Sequence, residues 1–337
     1  MTRSFVALAS LAVAVAALMA LNLFLGAVSI PAVAVADALL GNDVANDSWR
    51  FIVLQSRLPQ AVTALLCGSG LAVCGLLLQA VFRNPLADPS ILGISGGAGL
   101  GVAAVMLLMG GGISIGAMSV SGFMAVLAAA FAGASLVTLL MFFLSRLIRG
   151  NGMLLIAGVM VGYLASSVIM LLNFFASEDG IRAYTLWGMG NFSSVSYAML
   201  PLFATVALAC LAWSLTLVKP LNILVLGPQY AENLGVDTRR LRNRILLVTG
   251  LLTALTTSFC GPVAFLGLAV PHLARLFLRT DNYRSLLPAV MLLGGVVALA
   301  CNVACSLPSQ GGVLPINAVT PVVGAPVILY VMTRRRM

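Results

Sequence analysis

Charge is what this 337-residue sequence has least of. Charged residues make up 8% of it, with 18 basic and 9 acidic side chains and a single histidine, whereas 61% is hydrophobic and the mean hydropathy is +1.11. A water-soluble globule carries about 25% charged residues, so a soluble enzyme is excluded. Disorder requires low hydrophobicity and high charge, and is excluded with it. The composition is that of a chain embedded in a lipid bilayer.

Other absences narrow the chemistry. No GxxxxGK[ST] sequence occurs, so the chain has no P-loop of its own for ATP. No CxxC pair occurs, and Cys67, Cys74, Cys210, Cys260, Cys301 and Cys305 all fall inside apolar stretches. They read as small buried residues, not as a disulfide framework or a zinc site, and no metal site is expected. No Asp, Glu or Lys lies well inside an apolar segment. Ion-driven carriers and intramembrane aspartyl or metalloproteases rely on such groups, which counts against both. The net charge of +9 would suggest nucleic acid in a soluble domain. In a membrane chain it reads as arginine-rich cytoplasmic loops, with no nucleic-acid partner.

What is present is a succession of apolar segments. A spanning helix needs about 20 mostly apolar residues, and the pattern predicts an all-α polytopic membrane protein with one transmembrane domain of about ten helices. The predicted helices cover 5–26, 58–82, 91–109, 118–145, 153–176, 197–218, 245–261, 271–278, 286–305 and 316–332, with a polar stretch from Ser29 to Gln55. From Ser90 to Ser145 there is no charge, and a division near Gly110–Gly112 is needed to make two helices. An even number puts both termini on one side. Placing them in the cytoplasm leaves only Arg50, Arg57 and Arg182 of the basic residues outside, as the positive-inside rule requires. Gly97-x-x-x-Gly101 and Gly158-x-x-x-Gly162 have the spacing that lets helix backbones approach.

One enzymatic pattern has to be weighed. Gly93-Ile94-Ser95-Gly96 matches the GxSG of intramembrane serine proteases of the rhomboid type, with His272 as the candidate base. Against it, GxSG is a weak pattern in a chain this rich in Gly and Ser. His272, following Pro271, also reads as a ring that satisfies backbone groups at a helix start.

Longer runs carry a specific resemblance. Arg57-Leu58-Pro59, Gly68-Ser69-Gly70-Leu71-Ala72, Gly75-Leu76-Leu77-Leu78-Gln79, Arg83-Asn84-Pro85-Leu86-Ala87-Asp88-Pro89 and Leu92-Gly93-Ile94-Ser95-Gly96-Gly97-Ala98 stand in order in the first third. Leu154–Val159, Trp187-Gly188-Met189-Gly190 and Leu226-Gly227…Ala231-Glu232-Asn233-Leu234-Gly235-Val236 follow. The set closes with Gly261-Pro262-Val263-Ala264-Phe265-Leu266-Gly267-Leu268, Val270-Pro271-His272-Leu273-Ala274-Arg275 and Gly324-Ala325-Pro326. Together they resemble the FecCD/vitamin-B12-type permeases of ATP-binding-cassette (ABC) importers over nearly the whole chain.

The resemblance implies a non-enzymatic permease subunit in the cytoplasmic (inner) membrane, working as a homodimer. Its implied partners are two ATPase subunits, which bind ATP and Mg, and an extracytoplasmic substrate-binding protein. The implied cargo is a metal chelate: an iron–siderophore complex first, with haem or a corrinoid as alternatives. The charged segment 219–244 is then a cytoplasmic coupling segment seated in the ATPase, carried by Gly227, Ala231, Glu232, Leu234, Gly235, Arg239 and Arg240. Ala231, Leu234 and Val236 would form its apolar face, with the charged residues as its rim. Arg57, with Arg50 and Arg182 added by position, would receive acidic residues of the binding protein, since a guanidinium suits a carboxylate. The alternative for Arg57 is that it holds the helix start. Met153, Met160, Met170 and Asn173 lie on a helix implied to approach the translocation axis, where adaptable methionines tolerate a bulky passing ligand. The sequence departs from the family pattern at Pro228, Gln60, Asn302, Ser306 and Val313, where many members carry charged residues.

Overall fold

The computed structural model describes residues 2–44, 46–108, 119–148, 150–307 and 313–334. Among them it is all-helical, without a strand. The helices are α1 (Thr2–Phe24), α2 (Ala32–Leu40), α3 (Asp47–Phe51), α4 (Leu58–Phe82), α5 (Ile94–Leu108), α6 (Ser119–Leu147), α7 (Asn151–Phe175), α8 (Glu178–Gly188), α9 (Leu200–Leu215), α10 (Val218–Leu224), α11 (Pro228–Asn233), α12 (Thr238–Cys260), α13 (Leu266–Leu278), α14 (Tyr283–Ser306) and α15 (Ile316–Arg334). The expected break near Gly110–Gly112, and Arg149, Arg335 and Arg336, lie outside the described residues.

Six helical runs are long and apolar enough to cross a bilayer: Ser4–Phe24, Asp47–Phe82, Gly122–Leu147, Asn151–Phe175, Thr238–Cys260 and Tyr283–Ser306. A seventh arises if α9 and α10, bent by 48°, count as one span. The bend has a local cause, since Pro220 in α10 cannot donate and its ring would crowd the carbonyl of Thr216. Three shorter apolar helices remain, Ile94–Leu108, Leu266–Leu278 and Ile316–Tyr330. The chain is a multi-pass membrane protein.

The core is organised around α4, which is buried along almost its whole length. Its N-terminal side continues back to Asp47 through a π-helical stretch, Ile52–Arg57. Pro59 comes two residues after that stretch, and the widened turns remove the clash that it would otherwise make with the carbonyl of Gln55. The glycine spacing seen in the sequence is used for close contact. A Cβ on Gly97 would lie 2.6 Å from the Gly133 carbonyl oxygen, and one on Gly101 would lie 2.0 Å from that of Ala129, so α5 and α6 touch backbone to backbone.

Several helix boundaries differ from the sequence expectation, and two of the differences have a capping residue behind them. Helix α12 starts at Thr238, not near Ile245, because the Asp237 carboxylate accepts from the Arg240 backbone N–H at 2.9 Å. The charged Arg239–Arg244 stretch is therefore the first turns of a spanning helix, not a loop. The Ser177-Glu178-Asp179 run, expected as a loop, caps and charges the start of α8. The polar Ser29–Gln55 stretch holds α2 and α3, with a small core of Ile30, Ala34, Val35, Ala38 and Val53.

Candidate functional site

Two ends of the bundle carry the candidate residues. At one end, Gly227 (φ 113°) turns the chain and Pro228 opens α11, where a missing N–H costs nothing. The helix closes as a Schellman motif: the Gly235 N–H donates to the Glu232 carbonyl and the Val236 N–H to the Ala231 carbonyl, both at 2.9 Å. Gly235 takes φ 83°, which a residue with a Cβ adopts only under strain. The Thr238 hydroxyl then donates to Glu232 Oε1 at 2.6 Å, locking α11 onto the start of α12.

The apolar face of this segment is not the one expected from the sequence. Ala231 is fully buried against the bundle and Val236 is half-buried. Leu234 does face outward, and with it Val225, Leu226 and Tyr230, none of which the sequence placed on that face. The reason is geometric: the αL turn at Gly235 folds the segment back, so that Ala231 becomes the seat and the preceding turn supplies the exposed surface. Nor is Glu232 a free rim charge, since Thr238 occupies it. Arg240 is exposed and pairs with Asp237 at 2.9 Å, within the same turn. Arg239 reaches across to donate to the Arg146 carbonyl at 3.0 Å, at the C-terminus of α6.

Pro85 and His272 show what the two longest sequence motifs do. After α4, Arg83 takes a left-handed conformation and Asn84 and Asp88 build two turns, accepting from the Leu86 and Ser90 N–H groups at 2.9 Å. This loop packs on α13, where the His272 Nε2 lies 2.9 Å from the Pro85 carbonyl oxygen. Pro271 leaves the Gly267 carbonyl without its helical donor, and the Gln79 amide of α4 lies 3.5 Å from that oxygen and from that of Leu268. Gln79 Oε1 in turn accepts from Arg275 at 2.8 Å. His272 and Gln79 thus satisfy interrupted backbone, the role that stood as the alternative to general base for His272. Burial raises the Asp88 carboxyl above its ordinary value, against two hydrogen bonds from Ser90 that lower it.

At the other end, α1, α4, α8 and α14 surround a mouth of about 530 Å³ lined by Asn22, Arg57, Gln60, Asn191, Asn302 and Ser306, among others. Arg57 does not present itself to a partner there. It is 5% exposed, and its guanidinium donates to the carbonyls of Leu23 (2.8 Å), Phe24 (3.0 Å) and Val28. It closes the C-terminus of α1, a structural role other than the hold on its own helix start that the sequence offered as the alternative. Arg50 and Arg182 are exposed and form no ion pair among the described residues.

Asn317 is a residue that sequence reasoning missed. Its side-chain amide donates to the carbonyls of Gly188 (3.1 Å) and Pro262, and its oxygen accepts from the Ala264 N–H at 3.1 Å. From the start of α15 it thereby laces the end of α8 to the non-helical Gly261–Phe265 stretch. Such backbone is tolerated inside a membrane protein only where protein partners satisfy it. The Trp187–Gly190 and Gly261–Phe265 motifs of the sequence were the signal, since each predicts a break that needs outside donors and acceptors.

Met153, Met160 and Met170 are exposed along α7, and Asn173 is half-buried, donating to the Ile169 carbonyl at 3.0 Å. Only 17% of the apolar window of α7 is buried within this chain. Among the described residues no group of His, Cys, Asp and Glu is placed to hold a metal ion.

Comparison with known proteins agrees with this architecture. The chain is 34% identical over 290 residues to the vitamin B12 import system permease protein BtuC of Yersinia enterocolitica, covering 86% of this chain and 84% of that one. It is 35% identical over 287 residues to BtuC of Klebsiella pneumoniae, covering 85% and 84%. A solved chain described as an inward-facing metal-chelate type ABC transporter superposes with a TM-score of 0.83 at 27% identity, over 97% of this chain and 98% of that one. The model of the FecCD transport family matches residues 13–334, and the chain belongs to that family.

Proposed function

We propose that this chain, a permease subunit of an ABC importer of the FecCD type, passes a metal chelate inward through a path built by two copies of itself. The observation that carries the reading is the exposed apolar set Val225, Leu226, Tyr230 and Leu234 on a rigid, capped segment. Exposed apolar clusters mark docking surfaces, and here the partner is an ATPase subunit that holds ATP and Mg. Its closure moves α11, and the Thr238–Glu232 and Arg239–Arg146 bonds pass the displacement to α12 and α6. Packed interfaces switch between discrete arrangements, so a small shift there repositions whole helices.

The remaining geometry supports the same account. Adding the three short apolar helices to the seven spans gives ten crossings, which returns the C-terminus to the side of the N-terminus. Arg83, Arg146, Arg239, Arg242 and Arg275 lie at the coupling end, which we therefore place in the cytoplasm, and Arg50, Arg57 and Arg182 at the other. The exposed face of α7, with Met153, Met160 and Met170, meets the second copy and borders the path. Arg50 and Arg182 are the residues offered to acidic side chains of a substrate-binding protein. The sequence favours an iron–siderophore cargo, and the names of the relatives bring a corrinoid level with it.

The test is reconstitution of the permease in proteoliposomes with its ATPases and binding protein. ATP hydrolysis is measured against ferric siderophores, haem and corrinoids. Stimulation and uptake by one chelate class are expected. Uptake that ignores ATP and collapses with a protonophore would overturn the reading.

A further inference from the structure

Next to the coupling segment, Arg83, Arg146, Arg239 and Arg242 converge on one cleft of about 480 Å³, with Asn151 and Thr238 on its wall. No carboxylate lines it among the described residues. The acids closest in sequence are occupied, Glu232 by Thr238 and Asp237 by Arg240. Part of the guanidinium capacity is spent on this chain. Arg239 donates to the Arg146 carbonyl, and Arg242 donates to Asn151 Oδ1 (3.2 Å) and the Ser145 carbonyl, at a helix C-terminus that favours cations.

The rest is not spent. Arg242 Nε is buried without a partner. Neither Arg83 nor the Arg146 guanidinium makes a hydrogen bond or ion pair among the described residues; the latter rests 4.6 Å from the Phe142 ring. Four cations and an orphaned donor around one cleft describe an anion site with the oxygen-rich, compact chemistry of a phosphate.

The surroundings indicate where the phosphate comes from. Leu136, Leu139, Leu140, Phe143 and Leu147 are exposed on α6 at intervals of three and four residues, forming one apolar stripe that runs down to Arg146. A molecule that matches a basic cleft and an apolar stripe leading into it is a phospholipid. We propose that the cleft holds the headgroup phosphate of an anionic phospholipid of the adjoining leaflet, its acyl chains lying along α6. The uncompensated charge selects a net-negative lipid over a zwitterionic one. The bound headgroup clamps the ends of α4, α6 and α12, beside the coupling segment. The inference needs only the membrane location of the chain, and stands or falls separately from the import reading.

The experiment uses the full-length permease purified without ATPases in mild detergent. Retained lipid is counted by native mass spectrometry. Thermal unfolding is then followed as cardiolipin, phosphatidylglycerol, phosphatidylcholine or inorganic phosphate is added. Wild type is expected to retain, and be stabilised by, cardiolipin or phosphatidylglycerol but not phosphatidylcholine. Arg83→Gln with Arg146→Gln, two side chains without polar partners, should weaken retention by roughly fivefold per arginine removed. Arg83→Lys with Arg146→Lys should keep it, which separates lost charge from a damaged fold. Equal retention by the Gln variant overturns the proposal. Equal stabilisation by inorganic phosphate overturns it in favour of a free-anion site. In a parallel preparation with the ATPase co-expressed, loss of its co-purification by the Gln variant with lipid retention unchanged overturns it in favour of an acidic residue of that partner.

Discussion

Gln60 donates its side-chain amide to Asn302 Oδ1 at 3.0 Å, across the mouth between α4 and α14. Asn302 then donates to Asn22 Oδ1 at 2.7 Å, and Asn22 to the Leu299 carbonyl at 3.1 Å, so α1, α4 and α14 are joined by a neutral amide relay. Two of the residues at which the sequence departs from the charged pattern of the resemblance are therefore partners of each other.

That pairing predicts a compensating double substitution. Gln60→Arg alone places a guanidinium against a neutral amide, and Asn302→Asp alone puts a carboxylate at a position only 8% exposed. Each single variant is expected to lower the unfolding midpoint in detergent, and the double variant to recover with a coupling of about 1–3 kcal/mol. Additive losses would show that the two positions act independently.

The exposed apolar face around α11 yields the second prediction. Leu234→Glu sets a charge in the centre of an exposed apolar set without touching the buried seat at Ala231. If this face is a docking hot spot, the loss is about 2 kcal/mol or more, roughly a thirtyfold drop in affinity for the ATPase. Co-purification with the ATPase should fall while the unfolding midpoint of the permease alone is unchanged. Ala231→Leu should do the opposite first, lowering the midpoint by overpacking a fully buried site.

Gly75 and Gly267 supply the third. A Cβ on Gly75 would lie 1.7 Å from the Gly267 carbonyl oxygen, so α4 and α13 have no room for a side chain at this crossing. Gly75→Ala must push the helices apart, breaking the Gln79 contacts to the Gly267 and Leu268 carbonyls, at a cost of about 1–3 kcal/mol. Gly152→Ala, with nothing within 4 Å of the added atom, is the matched control and should leave the midpoint unchanged or slightly raised.

The fold class was legible in the sequence because it rests on composition, and most helices because twenty apolar residues have few alternatives. Boundaries failed where charge was taken for loop, as at Arg239–Arg244, although the Asp237 cap was there to be read. The apolar set on the coupling segment was legible only in part. Leu234 and Gly235 belong to a recognisable motif, but which side of a six-residue helix faces out depends on the fold-back at Gly235 and on what Ala231 packs against. Arg57 was open in the sequence for a related reason: an arginine at a helix start looks like a surface charge until the carbonyls that end α1 are brought to it. Asn317 carried no signal of its own, because the two breaks that announce a need for its amide lie far from it in the chain.

Asp88 gives a prediction in pH. One of its oxygens, Oδ2, lies so close to α13 that a Cβ on Gly267 would approach it to 2.4 Å, and the burial there raises the carboxyl above its ordinary 3.8. A raised value means that the folded chain holds the proton more firmly than the unfolded one. Its contribution to stability is complete below the unfolded value and is lost as pH climbs through the folded one. Asp88→Asn keeps an oxygen for the Ser90 N–H and removes the ionisation. His272 and Arg275 on α13 are common to both chains and cancel in the difference. Unfolding midpoints measured in detergent from acid to neutral pH should therefore show the wild type losing ground to Asp88→Asn as pH rises, with the gap opening above the ordinary carboxylate range. Parallel curves would mean that the carboxylate is satisfied where it sits and that its burial costs nothing.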